Sequence, residues 1–403
     1  MDTRLEALLN ARSVDRNDQF RPQFFRAADA EDRERLYDLL KEDATIQVFD
    51  ALHGQLRELM RVLHPGRQFD AHSLEHAVEQ HLEGLPMQAH GMWVFYPWSK
   101  RLVHILDEPA FVLVRTDRNR NKITREEQAV LAKKRVGVIG LSVGQSVSLT
   151  MALERSFGEI RLADMDTLDL SNLNRIRSGT HGLGANKAVN VAREIAEIDP
   201  YLKVTCFPEG INKGNIDRFL TDGGDLDLVV EECDSLDIKI LARQEARKRG
   251  IPVVMDASDR GLIDVERFDL DPERPLLHGL LDDMDLGQFE RPMTNAEKLP
   301  FMAKIVGMDT LSDRMKASLP EMGRTISTWP QLATGVILGG AIVGDIHRRI
   351  ALDGFRGSGR WWNDLDDLIS EARAAYPDGR NRAGDNTSSD HGQDHDQSIP
   401  STE

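Results

Sequence analysis

The sequence has little cysteine. Its 403 residues include two, Cys206 and Cys233, and neither belongs to a closely spaced pair. A disulfide framework requires several cysteines, and a structural zinc site requires paired ones, so we expect neither feature here. Low cysteine usage of this kind favours a reduced, cytoplasmic protein.

Long hydrophobic runs and an excess of positive charge are also missing. The longest apolar run, residues 333–343, is too short to span a bilayer, which takes about 20 apolar residues. Residues 1–10 are charged and lack the apolar segment of a signal peptide. The formal net charge of −16 disfavours unspecific binding to nucleic acids or anionic membranes, because both require a basic surface.

The length of the chain predicts two or three structural units. Residues 1–114 are predicted to form a mainly helical region with one hairpin near Gly91–Leu106, and helix-like spacing covers Val48–Leu63. No chemical motif is evident in this region. Residues 353–375 are predicted to add a helix that begins at Trp361. Residues 376–403 contain almost no apolar residues and are predicted to be disordered.

Strand and helix patterns alternate from Arg135 onward, which predicts an α/β domain over residues 115–352. Its fold class is Rossmann-like, a mostly parallel sheet with helices on both faces. An additional antiparallel strand is predicted at the far edge, within Gly261–Phe268, and a long apolar helix over Trp329–Ile350. The predicted parallel strands are Arg135–Gly140, Glu159–Ala163, Lys203–Phe207, Leu226–Glu231 and Val253–Asp256.

A glycine turn, Gly140-Leu-Ser142-Val-Gly144, connects the first of these strands to a helix. Such a turn lets backbone N–H groups approach a phosphate at the positive end of the helix. The second strand ends at Asp164, where a Rossmann site places an acid on a ribose hydroxyl. Because Ser142 replaces a usual glycine, the turn alone fits a nucleotide site and a purely structural turn equally well.

Polar side chains follow three of the predicted strands. The run from Asp164 to Arg175 contains D-x-D and S-N-L-x-R, Lys187 opens the next helix, and Asp234 follows the fourth strand. Because the carboxyl ends of parallel strands meet at one edge of a sheet, we expect these groups to converge on a ligand crevice. Arginine suits bidentate contact with phosphate, and lysine acts as a point charge.

Taken in order, these motifs resemble the ThiF/MoeB/HesA family, the bacterial relatives of ubiquitin-activating enzymes. The resemblance covers Lys122–Leu352, and S-N-L-x-R is its most discriminating part. The G-L-S-V-G turn is similar to that of a bacterial subgroup that is sometimes fused to a nitroreductase-like domain.

The resemblance implies that a homodimer binds ATP and Mg²⁺ and adenylates a carboxylate with release of pyrophosphate. It implies nucleotide contacts from the glycine turn and the residues that follow, with Asp164 on the ribose and an arginine supplied by the partner subunit. For that arginine, Arg120 is the better match and Arg118 the second. The implied nucleotide-binding residues are Gly140, Ser142, Gly144, Asp164, Asp166, Asn172, Arg175 and Lys187. The implied catalytic residues are Arg120, Arg175, Lys187 and Asp234, of which Asp234 is the Mg²⁺ ligand.

The sequence departs from the family in two further respects. The paired C-x-x-C motifs are absent, so no zinc is expected. No cysteine lies in the crossover region that carries the thioester nucleophile, and we expect Cys206 and Cys233 to be buried core residues. The predicted activity is therefore adenylation of a small molecule or of a protein or peptide C-terminus, without a thioester.

Other functions stay open at this point. A non-catalytic nucleotide-binding or scaffold protein would keep the fold without turnover, and an NAD-dependent oxidoreductase would share the glycine turn and Asp164. A serine hydrolase would use Ser142 in G-x-S-x-G with Asp256 and His278 in the required order, but it would leave the phosphate-directed residues unexplained. Arg260 fits either an acceptor carboxylate or an ion pair that fixes its loop.

Overall fold

The computed structural model describes residues 3–12, 19–286 and 295–370. In the first region of the chain, strands β1 to β4 form one sheet in the order β1-β3-β4-β2. The strands are Gln23–Phe25, Gln47–Asp50, Met92–Tyr96 and Arg101–Ile105. Helices α1 to α5 are Thr3–Arg12, Ala30–Glu42, Leu52–Leu63, Ala71–His81 and Glu108–Arg115.

The predicted hairpin is confirmed as β3 and β4, which pair antiparallel. The predicted helix over Val48–Leu63 is wrong at its start. Val48 and Phe49 belong to β2, which pairs parallel with β4, and the helix begins at Leu52. Both residues are exposed, so no alternation of buried and exposed positions marked this strand, and its extended backbone comes from pairing with a distant segment.

A seven-stranded sheet organises the rest of the chain, in the order β11-β10-β9-β8-β5-β6-β7. Strands β5 to β9 run parallel, while β10 and β11 are antiparallel additions. The strands β5 to β11 are Arg135–Ile139, Glu159–Ala163, Lys203–Phe207, Leu228–Glu231, Val253–Ala257, Leu262–Glu266 and Gly359–Trp362. The predicted Rossmann-like α/β fold is confirmed.

Helices cover both faces of this sheet. Val136 and Val138 of β5 point into one core, where they pack with residues of α7, α8 and α13. Ile139 belongs to a second core that contains residues of α9 and α10, as the alternation of side chains along a strand requires. Helices α6 to α14 are Arg125–Leu131, Gly144–Glu154, Lys187–Ile198, Ile216–Thr221, Leu236–Lys248, Asn295–Val306, Asp313–Ser318, Ala333–Ala351 and Leu365–Leu368.

The C-terminal part of the described chain corrects the prediction of a helix over residues 353–375. Trp361 and Trp362 lie in β11, which pairs antiparallel with β10, and the helix that follows is only the short α14. The predicted edge strand, β10, is therefore covered by β11 and is not at the edge. Sheet pairing decided this conformation, because the local sequence is compatible with either element. The predicted disordered tail, 376–403, lies outside the described residues.

The first region packs directly against the α/β region. The Tyr201 hydroxyl donates to the Leu106 carbonyl over 2.7 Å, and Trp98 Nε1 donates to Glu197 Oε1 over 2.7 Å. The division of the chain at residue 114 stays a prediction. None of the described helices combines the length and hydropathy that a membrane crossing requires.

Candidate nucleotide site

The glycine turn lies beside the segment that connects β8 to α10. Gly140 has a φ of +87°, and a Cβ there would lie 2.7 Å from the backbone nitrogen of Cys233 and 2.7 Å from the carbonyl carbon of Glu232. Gly144 starts α7, and a Cβ there would lie 2.6 Å from the Val138 side chain. Both glycines are needed because backbone and side chains approach the turn closely, so its shape is fixed by packing.

Asp164 holds the turn against the end of β6. Its carboxylate accepts hydrogen bonds from the backbone N–H groups of Leu141, over 2.7 Å, and of Asp166, over 2.8 Å. Burial raises the pKa of Asp164, while the nearby Lys187 and these two N–H groups act in the opposite direction. A structural role for this carboxylate is therefore visible in the contacts, and its predicted contact with a ribose stays a prediction.

Lys187 and Asp166 form an ion pair next to this turn. The Lys187 ammonium lies 2.9 Å from Asp166 Oδ2, and the lysine side chain is buried whereas the aspartate is exposed. Asn186 sets the position of Lys187 by capping α8 and by donating to the Asp164 carbonyl over 2.9 Å. Sequence reasoning missed Asn186, although an asparagine just before a predicted helix is the usual signal for an N-cap.

Arg175 lies over the turn from the other side. Its Nη2 donates to Ser142 Oγ over 3.1 Å and its Nη1 to Asn174 Oδ1 over 2.9 Å. Its buried Nε has no partner among the described residues. Burial lowers the pKa of Arg175, and the charge of Asp234 raises it. The serine that departs from the usual glycine pattern thus positions the arginine.

Asn172 has a local role in the same segment. Its Oδ1 accepts from the Asp169 backbone N–H over 3.0 Å, and together the two side chains cap the short helical turn Leu170–Asn174. This turn presents Arg175 to the glycine turn. The predicted contact of Asn172 with phosphate stays a prediction.

Asp234 is exposed at the end of β8 and lines a cavity of about 440 Å³ together with Arg175. The described residues contain no group of three or more His, Cys, Asp or Glu side chains suited to hold a metal ion. Mg²⁺ in phosphoryl-transfer sites is commonly held by one or two carboxylates together with substrate phosphates and water. One exposed aspartate beside the turn therefore fits a magnesium ion that arrives with a nucleotide.

Buried acids that sequence reasoning did not connect lie beneath this cavity. Glu231 is fully buried and pairs with Lys239 over 2.7 Å and with Arg243 over 2.5 Å, and these cations lower its pKa to about 2. Glu232 Oε1 accepts from the backbone N–H of Asp256 over 3.0 Å. Burial raises the pKa of Asp256 to about 7, and burial also raises that of Glu232.

Arg120 does not reach this site within one chain. Its guanidinium lies 3.2 Å from Asp117, and it lines a cavity with Arg155, just beyond the far end of α7. The 11 residues of α7 separate that end from the glycine turn by about 16 Å. A contribution from Arg120 or Arg118 of a second copy stays a prediction.

The structure also bears on the alternatives left open for Arg260 and for Ser142. Arg260 pairs with Asp364 over 2.6 Å and donates to the Thr310 carbonyl, which favours the interpretation that it fixes its loop.

Ser142 and His278 have separate partners, since the histidine lies 2.9 Å from Asp264. The described contacts of Ser142 therefore do not include the histidine that a serine hydrolase would need.

Both cysteines are intermediate in burial, and Cys206 and Cys233 each pack against a hydrophobic core, so the expectation of fully buried core residues is confirmed only in part. Cys233 Sγ donates to Glu231 Oε1 over 3.0 Å, and burial of the thiol raises its pKa well above the ordinary value. Only the thiolate is a good nucleophile. The environment of Cys233 therefore disfavours a thioester at this position.

A second cavity of about 910 Å³ lies between the β3–β4 hairpin and the loop before α8, and Glu194 lines it. Burial raises the pKa of Glu194 from 4.5 to about 7, although Gln145 donates to it. Because the folded-state pKa is raised, this group contributes stability below pH 4.5 and loses that contribution as the pH rises through 7.

We therefore expect Glu194→Gln to be more stable than the native chain at pH 8, by up to about 3 kcal/mol, and equal to it at pH 4.5. Urea unfolding at both pH values measures the difference. Glu273→Gln, at an exposed position, is the control and should show no such change. If Glu194→Gln raised the free energy of unfolding equally at both pH values, the raised pKa of Glu194 would not be the cause.

Comparison with known proteins finds a matching family model and several relatives. A family model described as the ThiF family matches residues 116–312. The uncharacterized protein MT1398 of Mycobacterium tuberculosis (strain CDC 1551 / Oshkosh) is 44% identical over 323 residues, which are 80% of this chain and 42% of that protein. The chain thus spans less than half of that relative's length.

Two relatives from Bacillus subtilis (strain 168) have names that state an activity. The tRNA threonylcarbamoyladenosine dehydratase is 23% identical over 58% of this chain and 95% of its own length. The sulfur carrier protein ThiS adenylyltransferase is 26% identical over 40% of this chain and 47% of its own length.

Proposed function

Because residues 116–312 form a ThiF family domain, we propose that the chain is an ATP-dependent adenylyltransferase that activates a carboxylate. In this reaction a carboxylate oxygen attacks the α-phosphorus of ATP, and the bond from that phosphorus to the bridging oxygen breaks. The products are an acyl-adenylate and pyrophosphate. A relative named as an adenylyltransferase supports this proposal.

The observation that carries the proposal is the convergence of charge around one turn. Arg175 is bonded to Ser142 of the turn, and Asp234 is close enough to affect the pKa of Arg175. Lys187 adjoins the turn through Asp164 and Asp166. Fixed positive groups next to a helix N-terminus are what a polyphosphate needs, since this chemistry depends on positioning and charge stabilisation.

Each residue has a distinct role in this proposal. The turn brings backbone N–H groups to the phosphates, and Arg175 donates two parallel hydrogen bonds to phosphate oxygens. Lys187 exchanges its carboxylate partner, Asp166, for a phosphate. Asp234 would hold Mg²⁺, which would supply charge neutralisation at the phosphates. In a homodimer, Arg120 of a second copy would add a further cation.

Pyrophosphate exchange into ATP, measured with a panel of carboxylates and carrier-protein C-termini, tests the proposal. We expect exchange that depends on a carboxylate and on Mg²⁺. Asp234→Asn should lower the rate about 100-fold and raise the Mg²⁺ concentration needed for half-maximal activity. Asp237→Asn, three residues along the chain, is the matched control and should keep the native rate.

The same measurements separate the alternatives. ATP binding without exchange under any condition would favour a nucleotide-binding or scaffold protein, and preferential binding of NADH would favour an oxidoreductase. A second candidate is a reaction on modified tRNA, because the chain is 23% identical to a tRNA threonylcarbamoyladenosine dehydratase in an alignment that covers 95% of that relative's length. The net charge of −16 opposes tRNA binding, and tRNA-stimulated ATP hydrolysis would favour that candidate.

A further inference from the structure

The cavity beside Arg175 and Asp234 has a volume of about 440 Å³, which is the size of a small-molecule site. Much of its apolar wall comes from segments outside the glycine turn and its neighbouring motifs. Large apolar side chains line it, among them Met302, Ile305, Leu311, Met322, Trp329 and Trp362. Five of these six belong to the segment from α11 to the residues before α13, and Trp362 comes from β11. The walls therefore favour a ligand with an apolar body.

One lining residue is a buried acid that has no cationic partner of its own. Asp256 is 6% exposed, and its carboxylate oxygens accept no hydrogen bond from an N–H or hydroxyl group of the described residues. The Glu232 carboxyl group lies within hydrogen-bonding reach, so the two acids can share one proton. Gly339 of α13 leaves room for this carboxylate, because a Cβ there would lie 2.1 Å from Asp256 Oδ2. A buried carboxyl group without a cationic partner is unfavourable, above all when it is ionised. Such groups in a cavity are where a ligand can supply the missing donor.

The cations near Asp256 are already paired. Lys239 also lines the cavity, but its ammonium lies 2.7 Å from Glu231 in a buried ion pair. Glu232 accepts from the Asp256 backbone N–H and adds a second carboxyl group close to that of Asp256. Two adjacent acids attract a cation, and an ammonium group can donate three hydrogen bonds. The chemistry of this end of the cavity therefore matches an amine.

Resting on the proposed adenylation activity, we propose that the substrate is a small amino-carboxylate with an apolar body, bound in this cavity. Its carboxylate points to Arg175 and the glycine turn, where the phosphate would lie. Its ammonium group donates to Asp256, and its apolar part packs against Trp329 and Trp362. An apolar amino acid and the terminal residue of a short peptide both belong to this class, whereas a chain end made only of glycine leaves the apolar walls uncovered.

Matched ligand pairs test this inference on the full-length protein. Calorimetric titration in the presence of α,β-methylene-ATP compares phenylalanine with 3-phenylpropionate and leucine with 4-methylpentanoate, pairs that differ only in the amino group. We expect the native chain to bind at least one amino acid about tenfold or more tightly than its deaminated partner. Asp256→Asn should reduce this preference to less than about threefold, and Asp237→Asn should leave it unchanged.

Equal or tighter binding of the deaminated acids by the native chain would overturn the inference, and this comparison does not depend on whether Asp256→Asn folds. Absence of binding by every amino acid in the panel would overturn it as well. Failure of the proposed function is a separate result: it appears as no binding of α,β-methylene-ATP and no exchange with any carboxylate. Exchange supported only by a carrier peptide that ends in Gly-Gly would keep the proposed function and exclude this substrate class.

Discussion

Alanine at position 175 should lower the rate of ATP–pyrophosphate exchange by about 100- to 1000-fold, the usual effect of removing one preorganised donor from developing charge. In the structure Arg175 is fixed by Ser142 and Asn174, so its donors need little rearrangement to meet a phosphate. Exchange assays with saturating carboxylate measure the effect. The melting temperature should change little, because the arginine is part of a surface loop segment rather than of the core.

Arg175→Lys refines this prediction, because lysine keeps the charge and loses the bidentate geometry. We expect a rate between those of the native chain and of the alanine variant. Arg314→Ala, at an exposed position of α12, is the control for loss of positive charge elsewhere. An alanine variant at position 175 with native exchange would remove the observation on which the proposed function depends.

Gly140→Ala should destabilise the folded chain by about 3–5 kcal/mol, from a left-handed backbone combined with overpacking. The φ of +87° is unfavourable for a residue with a Cβ, and that Cβ would lie within 2.8 Å of three backbone atoms of Glu232 and Cys233. These are main-chain atoms, so no flexible side chain can move aside. The turn or the β8–α10 connection would have to shift. Urea unfolding measures the loss of stability, and nucleotide binding should be lost with it.

Gly184→Ala separates the two causes of the expected loss of stability, the left-handed backbone and the overpacking. Gly184 has a φ of +80°, but a Cβ there would meet nothing within 4 Å. It should therefore cost only the backbone strain, about 1–2 kcal/mol. If both variants lost the same stability, close packing at the glycine turn would not be the reason that glycine is required at position 140.

The sequence predicted the parallel strands well because their residues carry the information locally. Val136, Val138 and Ile139 are apolar residues bounded by a glycine turn, a pattern that is typical of a buried strand before a helix. The proximity of Arg175 to Asp234 and of Lys187 to Asp164 also followed from order alone, since parallel strands deliver their carboxyl ends to one edge. Of these four residues, Arg175 and Asp234 line the cavity, and the shared role of all four at a nucleotide stays a prediction.

Contacts between distant segments were not predictable in this way. Strands β2 and β11 are each four residues long and depend on partners far away in the chain, so no local periodicity marks them. Neither the role of Ser142 as a hydrogen-bond acceptor for Arg175 nor the burial of Asp256 against Gly339 is visible in the residues that surround them. Arg120 was assigned to the nucleotide site by its motif alone. The structure places it near the C-terminal end of α7, whereas the glycine turn lies at the N-terminal end of that helix.

The sequence by itself determined the α/β architecture and the set of charged residues at one sheet edge, because strand periodicity and strand direction act locally. Only the tertiary structure decided which of these charged side chains have hydrogen-bond or ion-pair partners. The Asp164 carboxylate accepts from two backbone N–H groups, and Lys187 pairs with Asp166. The Asp256 carboxylate accepts from no N–H or hydroxyl group of the described residues and has the Glu232 carboxyl group as its neighbour. A hydrogen bond is set by distances of about 3 Å between atoms, and the folded chain fixes such distances only through packing.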